Sequence, residues 1–247
     1  MSKWVEGKVV AQKHWAGQLY SLQVEAEIAP FQAGQFAKLA LALDGAMMGR
    51  PYSFVNAPAV RPHEFYYVVL PGRSLTPHLC KLEAGDAVYV SPHASGFLTL
   101  AEVPPGEHLW LLATGTALGP FLSILNTEAP WQRFERVVLV HAVRRAEELS
   151  YQDQIQSLLA RHTGQFVFVP VVSREDTDFA LGGRIPKAIE DGRLETRAGV
   201  RLAVESSQLM VCGNPAMVAD TVHALQARGL KKHRRRDPGQ ISVEDYW

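Results

Sequence analysis

The chain has 247 residues, of which 47% are hydrophobic, and its acidic and basic residues balance to a formal net charge of zero at pH 7. This length accommodates two domains of ordinary size, and the balanced charge excludes a globally basic surface for nucleic acid or anionic membranes. The two cysteines, Cys80 and Cys212, exclude a disulfide framework and cannot supply the four ligands of a plant-type iron–sulfur cluster.

The amino terminus, residues 1–7, lacks the apolar core of a signal peptide. No segment approaches the roughly 20 apolar residues that span a bilayer. The sequence therefore predicts a cytoplasmic protein with no membrane partner and no nucleic-acid partner. We also expect a monomer without a metal site.

Short β-strand patterns separated by glycine and proline fill the chain up to about residue 100. They lie at residues 7–10, 19–24, 64–70 and 87–90, and one helical stretch from Thr76 to Leu82 interrupts them. Many short strands are typical of a β-sandwich or a β-barrel, in which closure hides the sheet edges. The first half is therefore predicted to be an antiparallel β domain covering residues 1–103.

A different sequence pattern begins after the linker Pro104-Pro105-Gly106. Apolar runs at residues 109–113, 136–141, 166–172 and 208–212 alternate with helical patterns at residues 151–162, 186–190 and 215–228. Continuous apolar strands are typical of a parallel sheet that helices cover on both faces. Residues 104–247 are therefore predicted to form a doubly wound α/β domain.

Three motifs stand out by their order and spacing. They are Arg50-Pro51-Tyr52-Ser53, Gly115-Thr116-Ala117-Leu118-Gly119-Pro120 and Cys212-Gly213-Asn214-Pro215. Each is weak alone, but together they resemble the ferredoxin–NADP reductase superfamily. The segments at residues 4–9 and 244–247 resemble in particular its compact bacterial branch, the flavodoxin/ferredoxin–NADP reductases. The resemblance implies a six-stranded Greek-key barrel that holds FAD, followed by an α/β domain that holds NADP(H).

The first motif supplies what an anionic cofactor with a large apolar ring needs: a cation, an aromatic face and a hydrogen-bond donor. The resemblance implies that Arg50 contacts the FAD pyrophosphate, Tyr52 packs on the flavin and Ser53 reaches flavin N5. Pro51 favours a twisted strand end, which such a site requires because Arg50 and Ser53 otherwise point to opposite faces. The alternative is an edge strand with an exposed arginine and a half-buried tyrosine.

Further flavin contacts are predicted on both sides of this motif. Ser74, Leu75 and Thr76 open a helix whose free backbone N–H groups suit a pyrophosphate, although a simple N-cap remains the alternative. Tyr66 matches a family position that lines the flavin, or it is a core tyrosine. The resemblance also implies that Tyr246 and Trp247 fold back onto FAD and move to admit nicotinamide; the alternative is a terminal aromatic docked on its own domain.

The second half carries the predicted nicotinamide site. The segment 111–120 runs strand, turn and helix, and its spacing departs from the Gly-x-Gly-x-x-Gly dinucleotide fingerprint but matches the reductase form. Gly115 is expected to line the phosphates, and Thr116 to lie near both flavin and nicotinamide. Gly213 allows close backbone approach, and the resemblance places Cys212 beside nicotinamide C4 as a positioning group.

Polar residues that follow the later strands favour NADP over NAD, because planar arginine donors suit a 2′-phosphate. The residues assigned to this site are Arg144, Arg145, Ser173, Arg174 and Arg184. Solvated surface arginines are the alternative for each one alone.

The resemblance implies an FAD-dependent oxidoreductase that exchanges hydride with NADP(H) and single electrons with ferredoxin or flavodoxin. Ser53, Tyr52, Cys212 and Trp247 are its predicted reactive-centre residues. The basic run at residues 231–236 either steers these acidic carriers or forms a solvated turn. Two other functions stay open: a flavin reductase or oxygenase reductase component, and a non-catalytic flavin-containing electron-transfer subunit.

Overall fold

The computed structural model describes residues 3–72 and 74–245, and the first half of the chain forms a six-stranded sheet. Its strands are β1 (Val5–Ala16), β2 (Leu19–Glu25), β3 (Phe36–Leu43), β4 (Ala46–Ser53), β5 (His63–Val68) and β6 (Ala87–Val90). They run antiparallel in the order β4-β3-β6-β1-β2-β5. A bridge between Phe54 and Phe65 joins the chain after β4 to β5, so the sheet closes into a barrel.

The barrel interior is filled by alternate residues of its strands, as the two-residue period of a strand requires. Among the described residues of this half, the only α-helix is α1 (Thr76–Leu79), which buries Leu79 against that interior. It is shorter than the helix predicted to reach Leu82, because the backbone N–H groups of Lys81 and Leu82 bond three residues back, as in tight turns.

The second half forms a parallel sheet in the order β10-β9-β8-β7-β11-β12. Its strands are β7 (His108–Thr114), β8 (Arg136–Val143), β9 (Phe166–Val172), β10 (Leu181–Gly182), β11 (Ser207–Gly213) and β12 (Ile241–Asp245). Its helices are α2 (Leu118–Leu125), α3 (Ala129–Arg133), α4 (Gln152–Arg161), α5 (Ile185–Glu190), α6 (Arg193–Ala198) and α7 (Pro215–Gln226). The sequence did not predict β10 and β12, which are the two edge strands.

Helices cover both faces of the parallel sheet. Leu109 and Leu111 of β7 face a core that contains α2 and α4, whereas Trp110 and Leu112 face a core that contains α5, α6 and α7. Continuous apolar strands are therefore explained by burial on both faces. The predicted fold class, an antiparallel Greek-key barrel followed by a doubly wound parallel sheet, is confirmed.

One hydrophobic core extends across both halves of the chain. Val55, Tyr66 and Leu98 of the first half pack in the same cluster as Leu118 and Phe121 of α2. The boundary predicted between residues 103 and 104 remains a proposal, since apolar contacts continue across it. This shared core fixes the barrel against the parallel sheet.

No helix in residues 3–72 and 74–245 combines the length and hydrophobicity that a bilayer-spanning segment needs. The same residues contain no cluster of histidine, cysteine, aspartate and glutamate side chains suited to hold a metal ion.

Candidate functional site

The two sheets meet where β4 and β11 end, and pairing contacts connect these two ends. Ser53 pairs with Phe36, which in turn forms a bridge with Ser95. The next residue, Gly96, has the Glu244 carboxylate 3.3 Å from the position that a Cβ would occupy, and Glu244 pairs with Cys212. A short path of neighbours thus leads from the barrel edge to the carboxyl end of the parallel sheet, where α/β proteins bind ligands.

The end of β4 presents a cation beside a half-buried aromatic ring. Arg50 is exposed, and among the described residues its guanidinium has no carboxylate partner; it donates to the Gly49 carbonyl oxygen at 2.9 Å. The Tyr52 ring meets the Tyr67 ring edge-on at 6.0 Å, and burial raises the pKa of Tyr52 although the nearby Arg50 charge opposes this. Ser53 is only 6% exposed. These are the three groups that an anionic, ring-bearing cofactor requires.

The turn before α1 is stabilised by side-chain hydrogen bonds. The Ser74 hydroxyl donates to the Leu70 carbonyl oxygen at 2.9 Å, and the Leu70 N–H donates to Thr76 Oγ1 at 2.9 Å. These side chains therefore stabilise the turn and do not cap the helix. Within the described residues, the N–H groups of Leu75 and Thr76 donate to no protein acceptor, although Leu75 is fully buried. Backbone N–H groups at the start of a helix fit an anionic oxygen ligand.

Tyr66 lies between the two halves of the chain. Its side chain is buried, its Cβ is 3.9 Å from the position of a Cβ on Gly119, and its hydroxyl is 2.8 Å from Ser150 Oγ. Burial raises the pKa of Tyr66. The residue therefore ties β5 to the second half, and its predicted flavin contact stays a prediction.

The loop after β7 turns tightly at Gly115, whose φ of +55° is in the left-handed region that favours glycine. A 3-10 turn (Gly115–Ala117), which contains the half-exposed Thr116, leads from it into α2. The Gly115 carbonyl oxygen lies 3.0 Å from His141 Nε2. His141 is fully buried, and burial lowers its pKa to about 4, which the bond to Gly115 only partly offsets.

The loop after β11 lies directly beside the loop after β7. Gly213 has a φ of +148°, and a Cβ placed on it would lie 2.1 Å from Thr114 Oγ1. The Asn214 N–H donates to Thr114 Oγ1 at 3.4 Å, and Asn214 Oδ1 accepts from the Ala216 N–H at 3.0 Å, which caps α7. Cys212 is fully buried just before this turn. The amino terminus of the 12-residue helix α7 thus faces the site with its positive dipole end.

The loops after β8 and β9 are paired and carry three of the predicted arginines, and Arg184 follows β10. Ser173 donates to the Val143 carbonyl oxygen from its N–H at 3.1 Å and from its hydroxyl at 3.2 Å, and the Arg174 N–H donates to the Arg144 carbonyl oxygen at 2.9 Å. Of the four arginines, Arg145 forms an ion pair with Glu175 at 3.7 Å. The others are exposed and form no ion pair with any described residue: Arg144, Arg174 and Arg184.

Residues 111–223 match the family model of the oxidoreductase NAD-binding domain. The flavodoxin/ferredoxin–NADP reductases of Escherichia coli K12 and Shigella flexneri are each 48% identical to this chain over 248 residues, with 100% of both chains covered. This chain belongs to the flavodoxin/ferredoxin–NADP reductase family. The family resemblance read from the three motifs is therefore confirmed.

A solved structure agrees with this family assignment. The crystal structure of a ferredoxin NADP+ reductase from Neisseria gonorrhoeae, with bound FAD and NADP, superimposes with a TM-score of 0.94 at 34% identity. The match covers 100% of both chains. The ferredoxin–NADP reductase of Pseudomonas aeruginosa is 33% identical, with 99% of this chain and 98% of the relative covered.

Two residues of this reductase-family site had no predicted role in the sequence. His141 lies within an apolar run, where a single histidine is the only signal. Glu244 lies within the edge strand β12, which the sequence did not predict. Burial raises the pKa of the Glu244 carboxyl to about 7, and its buried Oε1 has no partner among the described residues. The predicted contacts of Tyr246 and Trp247 lie outside the described residues.

Glu244→Gln should change how stability depends on pH. Because the pKa of Glu244 rises from 4.5 to about 7, the folded protein holds more protons than the unfolded chain between these values. The wild type should therefore lose stability relative to Glu244→Gln as pH rises through this window. Melting temperatures from about pH 4 to about pH 8 measure this. Asp245→Asn, at an exposed neighbour on the same strand, should keep the wild-type profile, and identical profiles for Glu244→Gln and wild type would contradict the prediction.

Proposed function

We propose that this protein is an FAD-dependent oxidoreductase that exchanges hydride with NADP(H) and single electrons with ferredoxin or flavodoxin. The observation that carries the proposal is the path from Ser53 to Cys212, which brings a flavin-type edge of the barrel to a nucleotide-type edge of the parallel sheet. When bound, FAD supplies the conversion between a two-electron donor and a one-electron carrier. The chain's own residues bind and orient the reactants.

On the flavin side, Arg50 and the N–H groups of Leu75 and Thr76 would bind the FAD pyrophosphate. Tyr52 would pack on the flavin ring, and Ser53 would donate to flavin N5. Pro51 and Tyr66 are the other proposed FAD contacts from the barrel. Thr116, Tyr246 and Trp247 are proposed as the remaining contacts, with the two terminal aromatics covering the flavin until nicotinamide enters.

On the nicotinamide side, the Gly115 loop and the start of α7 offer backbone N–H groups to the NADP(H) phosphates. Ser173, Arg144, Arg174 and Arg184 would hold the 2′-phosphate, whereas Arg145 forms an ion pair with Glu175. Gly213 leaves room for the nicotinamide beside Cys212.

Hydride transfer itself needs no acid or base, so the site acts through stacking and orientation. Cys212 is fully buried at the end of β11 and serves to position nicotinamide. The neighbouring Glu244 carboxyl, which retains its proton up to about pH 7, can donate a hydrogen bond from the same edge.

An anaerobic absorbance titration tests this function. Purified protein should be yellow, and NADPH should bleach the flavin band rapidly whereas NADH bleaches it far more slowly. Bleaching that requires a free flavin substrate would favour the flavin reductase alternative. Absence of bleaching by either nucleotide would overturn the proposal and favour a non-catalytic flavin subunit.

A basic hairpin, residues 231–240, is proposed to dock the acidic carrier. Lys231 pairs with Asp237, and Arg235 forms a two-point ion pair with Glu102 at 2.7 and 2.9 Å. The Arg235 guanidinium also covers the Phe97 ring at 4.9 Å, and Phe97 is 70% exposed. The other basic side chains form no ion pair with a described residue: Lys232, Arg234 and Arg236. Since Phe97 follows Gly96, this positive and aromatic surface lies beside the site.

Reversing the charge of Lys232, Arg234 and Arg236 to glutamate should raise the KM for an acidic carrier about tenfold or more and weaken its salt dependence, because screened attraction steers association. Steady-state carrier reduction across a salt series measures this. Bleaching by NADPH in the same preparation reports whether the flavin site is intact. An unchanged KM and salt slope would contradict docking at this hairpin.

A cytoplasmic location and a monomeric state remain predictions.

A further inference from the structure

His141 is a fully buried polar residue that the proposed chemistry does not use. It lies near the carboxyl end of β8, where it pairs with Ala113 of β7. Its Nε2 lies 3.0 Å from the Gly115 carbonyl oxygen, and its Nδ1 is buried without a partner among the described residues. A carbonyl oxygen only accepts, so Nε2 carries the proton and donates.

Among the described residues, the only hydrogen-bond partner of the His141 imidazole is the Gly115 carbonyl oxygen. A buried nitrogen without a partner lowers stability, and an apolar side chain of similar size would avoid that penalty. Burial also keeps the ring neutral at physiological pH, since it lowers the pKa of His141 to about 4. The ring therefore acts as a fixed donor to one carbonyl group.

Holding that carbonyl fixes the orientation of a whole peptide unit. The Gly115 carbonyl oxygen accepts from His141 and also from the Leu118 N–H at the end of the 3-10 turn. The C=O and N–H of a trans peptide point in opposite directions. The Thr116 N–H therefore points away from the His141 ring, and it donates to no other group within residues 3–72 and 74–245.

The carboxyl end of β11 lies on the other side of β7 from His141. In the sheet, β7 lies between β8 and β11, and the 115–117 turn contacts β11. Gly213 and the start of α7 are on that side, next to Thr114. A peptide flip at Gly115 would instead turn a carbonyl oxygen toward the nucleotide, and an oxygen there would repel phosphate.

We propose that His141 is a positioning residue that locks the Gly115–Thr116 peptide so that the Thr116 N–H faces the oxygen atoms of bound NADP(H). This inference rests on the proposed function, because it assigns a donor within the same nucleotide site. It adds a fully buried residue that would act on the nucleotide only through the Gly115–Thr116 peptide.

Three substitutions test the lock by calorimetric titration of the FAD-loaded protein with NADP+ and with 2′-AMP. His141→Leu removes the hydrogen-bond donor. His141→Asn has an amide near the position of Nδ1, too far from the Gly115 carbonyl oxygen. His141→Gln keeps an N–H near the position of Nε2. His141→Leu and His141→Asn should raise the Kd for NADP+ about tenfold, the loss expected for one hydrogen bond to an anionic group. His141→Gln should stay within about threefold of wild type. All three should bind 2′-AMP, which lacks the pyrophosphate and nicotinamide, with a Kd within about twofold of wild type.

The chain offers a matched control in His63. It is also fully buried, with Nε2 3.2 Å from the Ala26 carbonyl oxygen and Nδ1 without a partner among the described residues, but it lies in the barrel. His63→Leu should lower the melting temperature as His141→Leu does while leaving the Kd for NADP+ unchanged. In steady state, His141→Leu should raise the KM for NADPH more than it lowers kcat.

The positioning role of His141 is wrong if His141→Leu and His141→Asn bind NADP+ as tightly as the wild type does. Equal weakening of NADP+ and 2′-AMP, or equal loss in His141→Gln, would also overturn it, since either result means general damage to the domain. A wild-type protein that binds neither ligand would overturn the proposed function itself.

Discussion

Replacing Gly213 with alanine should lower the rate of flavin bleaching by NADPH about a hundredfold, the loss expected when reacting groups shift by about 1 Å. A Cβ on Gly213 would lie 2.1 Å from Thr114 Oγ1 and 2.8 Å from Met217 Cε. Met217 can move, but Thr114 is β-branched and its Oγ1 accepts from the Asn214 N–H. The clash therefore pushes the end of β11 away from β7, where nicotinamide would bind.

The backbone adds a second cost at this position. Gly213 has a φ of +148°, a backbone conformation that residues with a Cβ rarely adopt. Gly164→Ala is the matched control for the effect of a positive φ alone. Gly164 has a φ of +79°, a Cβ on it would meet open space, and it lies in the turn before β9. It should cost about 1 kcal/mol of stability and leave bleaching unchanged.

A double variant separates clash from backbone strain. Adding Thr114→Ala to Gly213→Ala removes Oγ1 and should restore part of the bleaching rate, which gives a non-additive cycle. Stopped-flow absorbance with NADPH and thermal melts of each variant measure both effects. If Gly213→Ala bleached at the wild-type rate, close packing of β7 and β11 would not matter for nicotinamide entry.

Much of the fold could be predicted because local pattern and tertiary environment agree. The apolar runs of β7, β8, β9 and β11 are buried on both faces, so their lack of alternation indicated a parallel sheet. Edge strands carry a weaker signal. In β12 only Ile241 is buried, and the strand exists because it pairs with β11, a contact that no local pattern encodes.

The site could be predicted as far as its motifs go. Glycine turns after strands indicate where nucleotide loops lie, and the structure brings the loops at Gly115 and Gly213 together. The importance of His141 and Glu244 depends on partners far away in sequence: a carbonyl oxygen at Gly115 and the paired Cys212. Burial and pairing of this kind arise only from the folded arrangement of strands.

The four predicted NADP arginines differ in their ion pairing, a difference that the sequence does not reveal. Arg145 is engaged with Glu175 at 3.7 Å, whereas Arg174 and Arg184 have no carboxylate partner among the described residues. A guanidinium without a partner is available to a phosphate, and a paired one must first give up its carboxylate.

We therefore expect Arg174→Ala and Arg184→Ala each to reduce kcat/KM for NADPH about thirtyfold, which corresponds to about 2 kcal/mol for one charge-assisted contact. The kcat/KM for NADH should change little, because NADH has no 2′-phosphate for these side chains to bind. The double variant should reduce the preference for NADPH about nine hundredfold if the two contacts are independent.

Arg145→Ala is the control at the adjacent loop. It removes the same charge from the same edge of the sheet, so a general loss of positive potential would affect it as strongly as Arg174→Ala. We expect Arg145→Ala to change kcat/KM for NADPH by less than about threefold, as is usual for an exposed ion pair. Steady-state rates with both nucleotides at two salt concentrations measure all four variants. Equal losses in Arg145→Ala and Arg174→Ala would mean that the 2′-phosphate is recognised by the field of the whole edge, and direct contact by Arg174 and Arg184 would then be wrong.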